Sequence, residues 1–154
     1  MDDMPFVPPE FDPPQRLSTP DFVLEPLGPQ HNERDYHAWT SSIDHVRATP
    51  GFRDGSWPQD MTAEENRGDL ERHQRDFIER RGFTYTVLDP ADGDVIGCLY
   101  IYPLKGEPRA EVSTWVRADR AALDLPLAES VAAWLESTWP FEQVRYRGRP
   151  HLSR

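Results

Sequence analysis

Two tyrosines and the only cysteine of the chain lie at alternate positions between Val95 and Tyr102. Alternate residues of a β-strand project from the same face, so Cys98, Tyr100 and Tyr102 would line one side of a sheet. A phenol at such a position could donate a proton in a reaction. The other interpretation is structural, because tyrosines on a strand are often aromatic core residues and a cysteine without a cationic neighbour is a small buried hydrophobe.

A second group of candidate residues lies in the loop from Pro50 to Asp60, which carries Phe52 and Trp57. Aromatic side chains in a long loop are typical of a pocket wall or a lid over a binding site. The same two residues could instead pin the loop to the core. The sequence alone favours neither interpretation.

The histidines offer no pattern for a metal centre. They lie in or near predicted helices or at the end of the chain, and none has a spacing such as His-Glu-x-x-His. A single cysteine provides neither a zinc framework nor an intrachain disulfide. The sequence therefore predicts no metal.

The sequence of the first third of the chain predicts a tail, a strand and a helix. Six prolines within residues 1–20 indicate a flexible or draped tail, whose Phe6, Val7 and Phe11 could also pack on the body of the protein or form a short recognition segment. Phe22–Leu27 is rich in strand-forming residues, and Pro26 confines it to an edge or a strand end. Apolar residues recur from Tyr36 to Val46 with the spacing of one amphipathic helix, which Pro50 ends.

A second helix is predicted over residues 63–81. Thr62 and Glu65 have the spacing of a capping box, in which each side chain bonds the backbone N–H of the other residue. Gly82 supplies the left-handed residue that commonly ends a helix.

The sequence of the second half of the chain predicts a sheet and one more helix. Phe83–Leu88, Val95–Tyr102 and Ala110–Arg117 read as an antiparallel meander, and the middle strand is apolar on both faces and so central. Asp124 can cap a helix over Leu125–Thr138. The chain then closes with a short strand over Phe141–Tyr146 and a basic tail over residues 148–154.

This order of elements resembles that of the GCN5-related N-acetyltransferases, together with two segments. Asp94-Val-Ile-Gly97 is similar to the opening of the family's third strand, and Val112-Ser-Thr-Trp-Val-Arg117 to its fourth strand. The resemblance covers residues 21–147 as one domain. It implies an α+β fold, a mixed but mainly antiparallel sheet flanked by helices, and transfer of acetyl from acetyl-coenzyme A to an amine of a small molecule or protein.

The resemblance also implies roles for individual residues. Glu111 would be the base and Tyr100 a proton donor, while Phe52, Trp57 and Tyr102 would contact the acceptor. Coenzyme A would lie against the end of the fourth strand and the loop that follows it, a region that comprises Trp115, Val116, Arg117, Arg120, Ala121 and Ala122.

Two departures from the family pattern leave the activity open. The glycines that bring backbone amides to the pyrophosphate are absent after Arg117, so that Arg117 and Arg120 would have to compensate with side-chain contacts. The chain also stops soon after Tyr146, before the helix that often carries the family's tyrosine acid. The alternative is a catalytically silent module of the same fold that binds a ligand or partner.

Charge and hydropathy exclude several partners. The 154 residues include 17 Lys and Arg against 27 Asp and Glu, a formal net charge of −10, which argues against binding nucleic acid or anionic membranes. No stretch has the length of a membrane helix and the N-terminus lacks a signal peptide's basic start, so a cytoplasmic location is expected. The oligomeric state stays open, a dimer included.

Overall fold

A computed structural model describes residues 5–106 and 108–154 of the chain. Its helices and strands follow the predicted order, with one short additional strand at the start and one predicted helix divided into two. They are β1 Leu17–Ser18, β2 Val23–Pro26, α1 Asn32–Thr40, α2 Ile43–Ala48, α3 Ala63–Ile78, β3 Phe83–Leu88, β4 Val95–Pro103, β5 Ala110–Val116, α4 Asp124–Thr138 and β6 Val144–Tyr146.

The strands form one six-stranded sheet in the order β1-β2-β3-β4-β5-β6. Each neighbouring pair is antiparallel except β5 and β6, which run parallel and pair from Ala110 with Val144 to Val112 with Tyr146. The predicted central position of Val95–Tyr102 is confirmed, since β4 lies between β3 and β5. The α+β fold class, a mixed and mainly antiparallel sheet flanked by helices, is confirmed as well.

Each face of the sheet carries its own hydrophobic core. On one face α4 packs Leu127 and Val131 against the strands. On the other face Trp39 of α1 and Leu70 of α3 pack against Cys98 and Trp115 of the sheet. Cys98 is 1% exposed and burial raises the pKa of its thiol, so the interpretation as a small buried hydrophobe holds.

The helices on the second face differ in detail from the prediction. The single helix expected through Tyr36–Val46 is broken at Ser41 and Ser42 into α1 and α2. Ser42 is 3% exposed, and its hydroxyl accepts a hydrogen bond from the backbone N–H of Ala118 at 2.8 Å. The break therefore places the Ser42 hydroxyl where it can bind the backbone N–H of Ala118, which lies on the connection between β5 and α4.

Helix α3 begins as predicted and ends early. The Thr62–Glu65 capping box is confirmed, with bonds of 2.8 and 3.1 Å. The helix stops at Ile78, and the left-handed residue after it is Arg80, with φ 63°, rather than Gly82. Gly82 is needed for another reason, because a Cβ there would overlap the ring of Tyr102.

The N-terminal segment is packed, in contrast to the predicted flexible tail. Within the described residues 5–20, Val7 is 1% exposed and belongs to the core under α4. Phe6 stacks on Phe141 with ring centroids 4.9 Å apart, and the Tyr85 hydroxyl donates to the carbonyl of Pro14. Prolines keep this segment out of a long strand, but they do not prevent its apolar side chains from being buried.

The C-terminal residues are also integrated. Val144 and Arg154 exchange two backbone hydrogen bonds of 2.7 and 2.9 Å, so residues 148–154 fold back on the strand instead of forming a free tail. Asp124 lies inside α4 and makes no side-chain cap, because its carboxylate accepts a 2.6 Å hydrogen bond from Arg149. The predicted last strand shortens to β6.

Within the part of the chain that the structure describes, no helix has the length and hydropathy to cross a membrane.

Candidate functional site

A cavity of about 310 Å³ lies between the sheet and the helices of its second face. Its walls come from β4, β5, α1, α3 and the loop after α2. It brings together five of the residues that the sequence singled out, namely Phe52, Trp57, Tyr100, Tyr102 and Glu111. The predicted acceptor and proton-transfer residues therefore share one cavity.

The aromatic wall of the cavity consists of loop residues held against the core. Trp57 contacts Trp39, Phe52 and Trp115, with ring centroids 5.4, 6.0 and 5.8 Å apart. Arg47 donates two hydrogen bonds to the carbonyl of Pro58 and so anchors the loop. Both interpretations of this loop apply, since the residues that pin it also line the cavity.

Tyr100 is a neutral group at the base of the cavity. Its hydroxyl accepts a 3.0 Å hydrogen bond from the indole Nε1–H of Trp115. Burial raises the pKa of the Tyr100 phenol well above its usual range. Tyr100 thus stays protonated at neutral pH and is suited to donate a hydrogen bond rather than to accept a proton.

Asp35, on α1, is a carboxylate that the sequence analysis missed. It lines the cavity, is 4% exposed, and accepts a 3.0 Å hydrogen bond from the side-chain amide of Asn66 at its Oδ2. The Asn66 bond is the one hydrogen bond that this side chain accepts from the described residues, so its Oδ1 stays open to the cavity. Burial, with a smaller contribution from Asp69, raises the pKa of Asp35 to about 6 despite the Asn66 bond. A carboxylate with this pKa can accept a proton near neutral pH.

Asn66 fixes the orientation of that carboxylate. Its Oδ1 accepts the indole N–H of Trp39 at 3.1 Å, which leaves its amide N–H groups for Asp35 and Asn32. The buried amide is therefore satisfied on both sides, and its neighbours determine which way it faces.

His73, which the sequence analysis also missed, belongs to a hydrogen-bond network along the same wall. Its Nδ1 lies 2.8 Å from the Tyr102 hydroxyl and 2.9 Å from the Thr84 hydroxyl, and the Tyr102 hydroxyl donates to Asp76 at 2.8 Å. Burial, and to a smaller extent Arg72, lower the pKa of His73 to about 4. The imidazole is neutral at neutral pH.

A signal for two of these missed residues was present in the sequence. Asn66 and His73 lie four residues before and three residues after Leu70, and therefore on the buried face of α3. The apolar positions of that helix alone do not reveal these polar residues. Polar residues aligned with an apolar stripe indicate a site more directly than the stripe does.

Glu111 lies at the rim of the cavity. Its side chain is 30% exposed and forms an ion pair of 4.0 Å with Arg145 on β6. The adjoining rim residue Arg147 is paired with Asp54 at 3.2 Å. Glu111 is therefore more open to solvent than Asp35.

The residues predicted for coenzyme A lie elsewhere, at the connection from β5 to α4. Trp115 and Val116 are fully buried core residues. Arg117 is 9% exposed, and its guanidinium bonds Asp94 at 2.8 Å and Asp119 at 2.9 and 3.0 Å. Outside this core, Ala121 and Ala122 are exposed.

Arg120, the other predicted cation, is paired as well, since it contacts Asp89 at 2.7 Å. Both arginines expected to hold the coenzyme are thus engaged with carboxylates of the chain itself.

This connection does not fit a pyrophosphate. Such a group needs free backbone N–H donors and uncompensated positive charge. Residues 118–123 form a 3₁₀ helix that runs directly into α4, in which the N–H groups of Ala118, Arg120 and Asp124 already donate to Ser42, Arg117 and Ala121.

Among residues 5–106 and 108–154, no group of three or more His, Cys, Asp or Glu side chains is arranged to hold a metal ion.

Comparison with known proteins finds similarity at the level of structure. No protein-family model and no curated protein matches the sequence. The ribosomal-protein-S5-alanine acetyltransferase from Vibrio fischeri superposes with a TM-score of 0.64 at 9% identity, over 85% of this chain and 72% of that one. A putative GNAT-family acetyltransferase from Bordetella pertussis gives 0.59 at 20% identity, over 85% and 76%.

A third solved structure, the microcin C7 self-immunity acetyltransferase in complex with acetyl-CoA and AMP, gives a TM-score of 0.59 at 8% identity over 82% of this chain and 68% of that one. The fold is therefore that of the GCN5-related N-acetyltransferases. At these identities the likeness defines the fold alone.

Proposed function

We propose that the cavity is the acceptor site of an N-acetyltransferase-type reaction, in which an amine binds and gives up its proton. The observation that carries the proposal is Asp35, a buried carboxylate with one oxygen held by Asn66 and the other without a partner among the described residues. An amine is mostly protonated at neutral pH and cannot attack a thioester until it loses a proton. Asp35 has a pKa suited to accepting that proton.

Charge and shape of the cavity support an amine ligand. The formal charge of the lining is negative, because the three carboxylates Asp35, Asp69 and Glu111 outnumber the two arginines Arg72 and Arg147. Aromatic faces of the kind that Phe52, Trp57 and Tyr100 carry also attract organic cations. Tyr100 supplies a neutral hydroxyl for the opposite role, a hydrogen bond to an oxygen that gains negative charge during acyl transfer. The fold supports acetyl-CoA as donor, because acetyl-CoA is bound in one of the structures that share the fold.

A second candidate function is favoured by a different observation. At the β5–α4 connection both arginines are held in internal ion pairs and three backbone N–H groups already donate within the protein, as expected of a catalytically silent module that binds an amine. In that case the cavity would bind its ligand without turnover. Both candidates require an amine in the cavity, and they differ in whether acetyl-CoA binds.

Thermal shift and a thiol-release assay separate the two. The native protein would be titrated with millimolar acetyl-CoA and with a panel of small amines, because a ligand that binds only the folded state raises the melting temperature. Thiol release that needs an amine and is lost in Asp35→Asn supports acetyl transfer. Stabilisation by amines alone supports the silent module. If neither ligand class stabilises the protein, the cavity is not an amine site.

A control variant tests whether a loss of activity is specific to Asp35. Asp69→Asn removes a carboxylate from the same lining, but one that is half-exposed and paired with Arg72 at 3.7 Å. We expect it to lose much less activity than Asp35→Asn, because Arg72 already compensates part of the Asp69 charge. Equal losses in the two variants would show that general negative charge, rather than the Asp35 carboxylate, is what matters.

A further inference from the structure

The hydrogen bonds around His73 determine which of its ring nitrogens carries the proton. Asp76 is a carboxylate whose pKa is lowered by its bonds to Tyr102 and Arg81, despite an opposing effect of burial, so it only accepts hydrogen bonds at neutral pH. The single proton of the Tyr102 hydroxyl is therefore directed to Asp76 at 2.8 Å.

With that proton committed, the Tyr102 oxygen can only accept from His73. A lone pair on Nδ1 would face a lone pair on the Tyr102 oxygen at 2.8 Å, which is unfavourable. A proton on Nδ1 satisfies Tyr102 and lies within reach of Thr84 as well. The neutral imidazole therefore has its hydrogen on Nδ1 and its lone pair on Nε2.

The hydrogen bonds that His73 makes to described residues all involve Nδ1, so Nε2 has no partner among them. His73 is half-buried and lines the cavity on the same wall as Asp35's partner Asn66. An acceptor that lines a cavity and has no protein partner is available to a ligand donor, which would replace solvent there. The cavity thus presents two acceptors, a carboxylate that carries charge and an imidazole nitrogen that does not.

We infer that Nε2 of His73 is a specificity-determining acceptor, and that the cavity takes a small amine with a second, neutral N–H or O–H donor. Asp35 holds the cationic end and His73 the neutral donor, while Tyr102 and Asp76 are positioning residues that maintain the tautomer. This inference rests on the proposed amine site and names its substrate class. It does not depend on whether acetyl is transferred.

The tautomer is tested first, without a ligand. Side-chain ¹⁵N NMR of the full-length protein at pH 7 is expected to show His73 protonated on Nδ1 alone. Tyr102→Phe removes the hydroxyl that transmits the effect of Asp76, and we expect a mixture of tautomers. Tyr36→Phe is the matched control. It removes a tyrosine hydroxyl that donates to the carbonyl of Met61 at 2.6 Å and does not belong to the His73 network. A proton on Nε2 in the wild type would overturn the inference.

Ligand selectivity is tested with ω-amino alcohols of two to six carbons and their methyl ethers, which differ in one donor. We expect at least one alcohol to shift the His73 resonances and to bind up to about tenfold more tightly than its ether, the ratio that one additional hydrogen bond can supply. His73→Phe should abolish that ratio and His73→Gln, which retains an acceptor, should keep part of it.

The outcomes separate this inference from the proposed function. Equal affinity of alcohols and ethers, or no shift of His73 with any of them, overturns the role of His73. Selective binding without thiol release supports His73 and rejects acetyl transfer.

Discussion

The cavity and the β5–α4 connection differ in how completely their polar side chains are paired. At the connection, Arg117, Arg120 and Arg149 each face a carboxylate of the same chain within hydrogen-bond distance. In the cavity, Asp35 and His73 each have one atom bound by the protein and one without a partner among the described residues. Charged residues near a ligand site are therefore informative only when their partners are known.

The contrast separates two regions of the molecule. The cavity on the second face of the sheet contains Asp35 and Tyr100, to which the proposed function assigns proton transfer and hydrogen bonding. The end of β5, where the resemblance placed the coenzyme, is stabilised by internal ion pairs. Four predictions test this division, in order of decreasing expected effect.

The largest effect is expected from Arg149, whose side chain is 6% exposed and pairs with Asp124 in a buried ion pair. Arg149→Met leaves a mostly buried carboxylate without its cation and should lower the free energy of unfolding by about 3 to 5 kcal/mol. Arg145→Met, at an exposed position of the same terminal region, should change it by less than about 1 kcal/mol. Urea denaturation measures both.

A double variant sharpens that result. Asp124 Oδ1 and Arg149 Nε have no hydrogen-bond partner among the described residues, so the pair is incompletely satisfied. Asp124→Leu combined with Arg149→Met should therefore cost less than Arg149→Met alone. A larger loss of unfolding free energy in the double variant than in Arg149→Met would contradict the view that each residue mainly neutralises the buried charge of the other.

The second prediction concerns pH and the two cavity groups. Between about pH 4 and 6 the folded protein keeps a proton on Asp35 that the unfolded chain has released, so this group lowers stability as pH rises. Between about pH 4 and 6.5 the unfolded chain binds a proton on His73 that the folded protein does not, so this group raises stability as pH rises. The two contributions, each about 3 kcal/mol, oppose each other.

Single variants should reveal each contribution. Relative to the wild type, Asp35→Asn should gain up to about 3 kcal/mol as pH increases from 4 to 7.5, and His73→Gln should gain a similar amount as pH decreases over that range. The difference in unfolding free energy between variant and wild type, measured at both pH values, isolates the group. A difference independent of pH would show that the group titrates normally in the folded state.

The third prediction concerns how the packing of Gly82 against Tyr102 supports the hydrogen-bond network around His73. An alanine at Gly82 would place its Cβ in the Tyr102 ring, so the ring must move and its bonds to Asp76 and His73 must lengthen. We expect a loss of about 1 to 3 kcal/mol and a change in the His73 tautomer. Gly68→Ala, on an open part of α3, should instead raise stability by about 0.5 to 1 kcal/mol. Thermal denaturation and ¹⁵N NMR report the two effects.

The smallest effect is expected at the connection itself. Asp119 is mostly exposed, so Asp119→Ala should change the free energy of unfolding by less than about 1 kcal/mol while it frees part of the Arg117 guanidinium. If the closed ion pairs are what prevents phosphate binding, calorimetry should detect acetyl-CoA more readily with the variant than with the wild type. If the wild type already binds acetyl-CoA tightly and in a salt-sensitive manner, then Arg117 does not serve only in an internal ion pair.

The sequence itself determined the order of elements, the central position of β4 and the start of α3. These features depend on local information, namely the spacing of apolar residues in Val95–Tyr102 and the capping box at Thr62 and Glu65. It also placed Tyr100, Tyr102 and the loop aromatics, which line the cavity. Each of these predictions needed only neighbours within one element.

The tertiary structure alone decided which polar groups are paired and which remain open. Asp35 and Asn66 are 31 residues apart, and Arg149 meets Asp124 across 25 residues. The packing of Val7 against the core likewise depends on contacts far along the chain. The reason is physical: burial and hydrogen bonding set the charge state of a side chain, and both are determined by residues that the fold, rather than the local sequence, brings into contact.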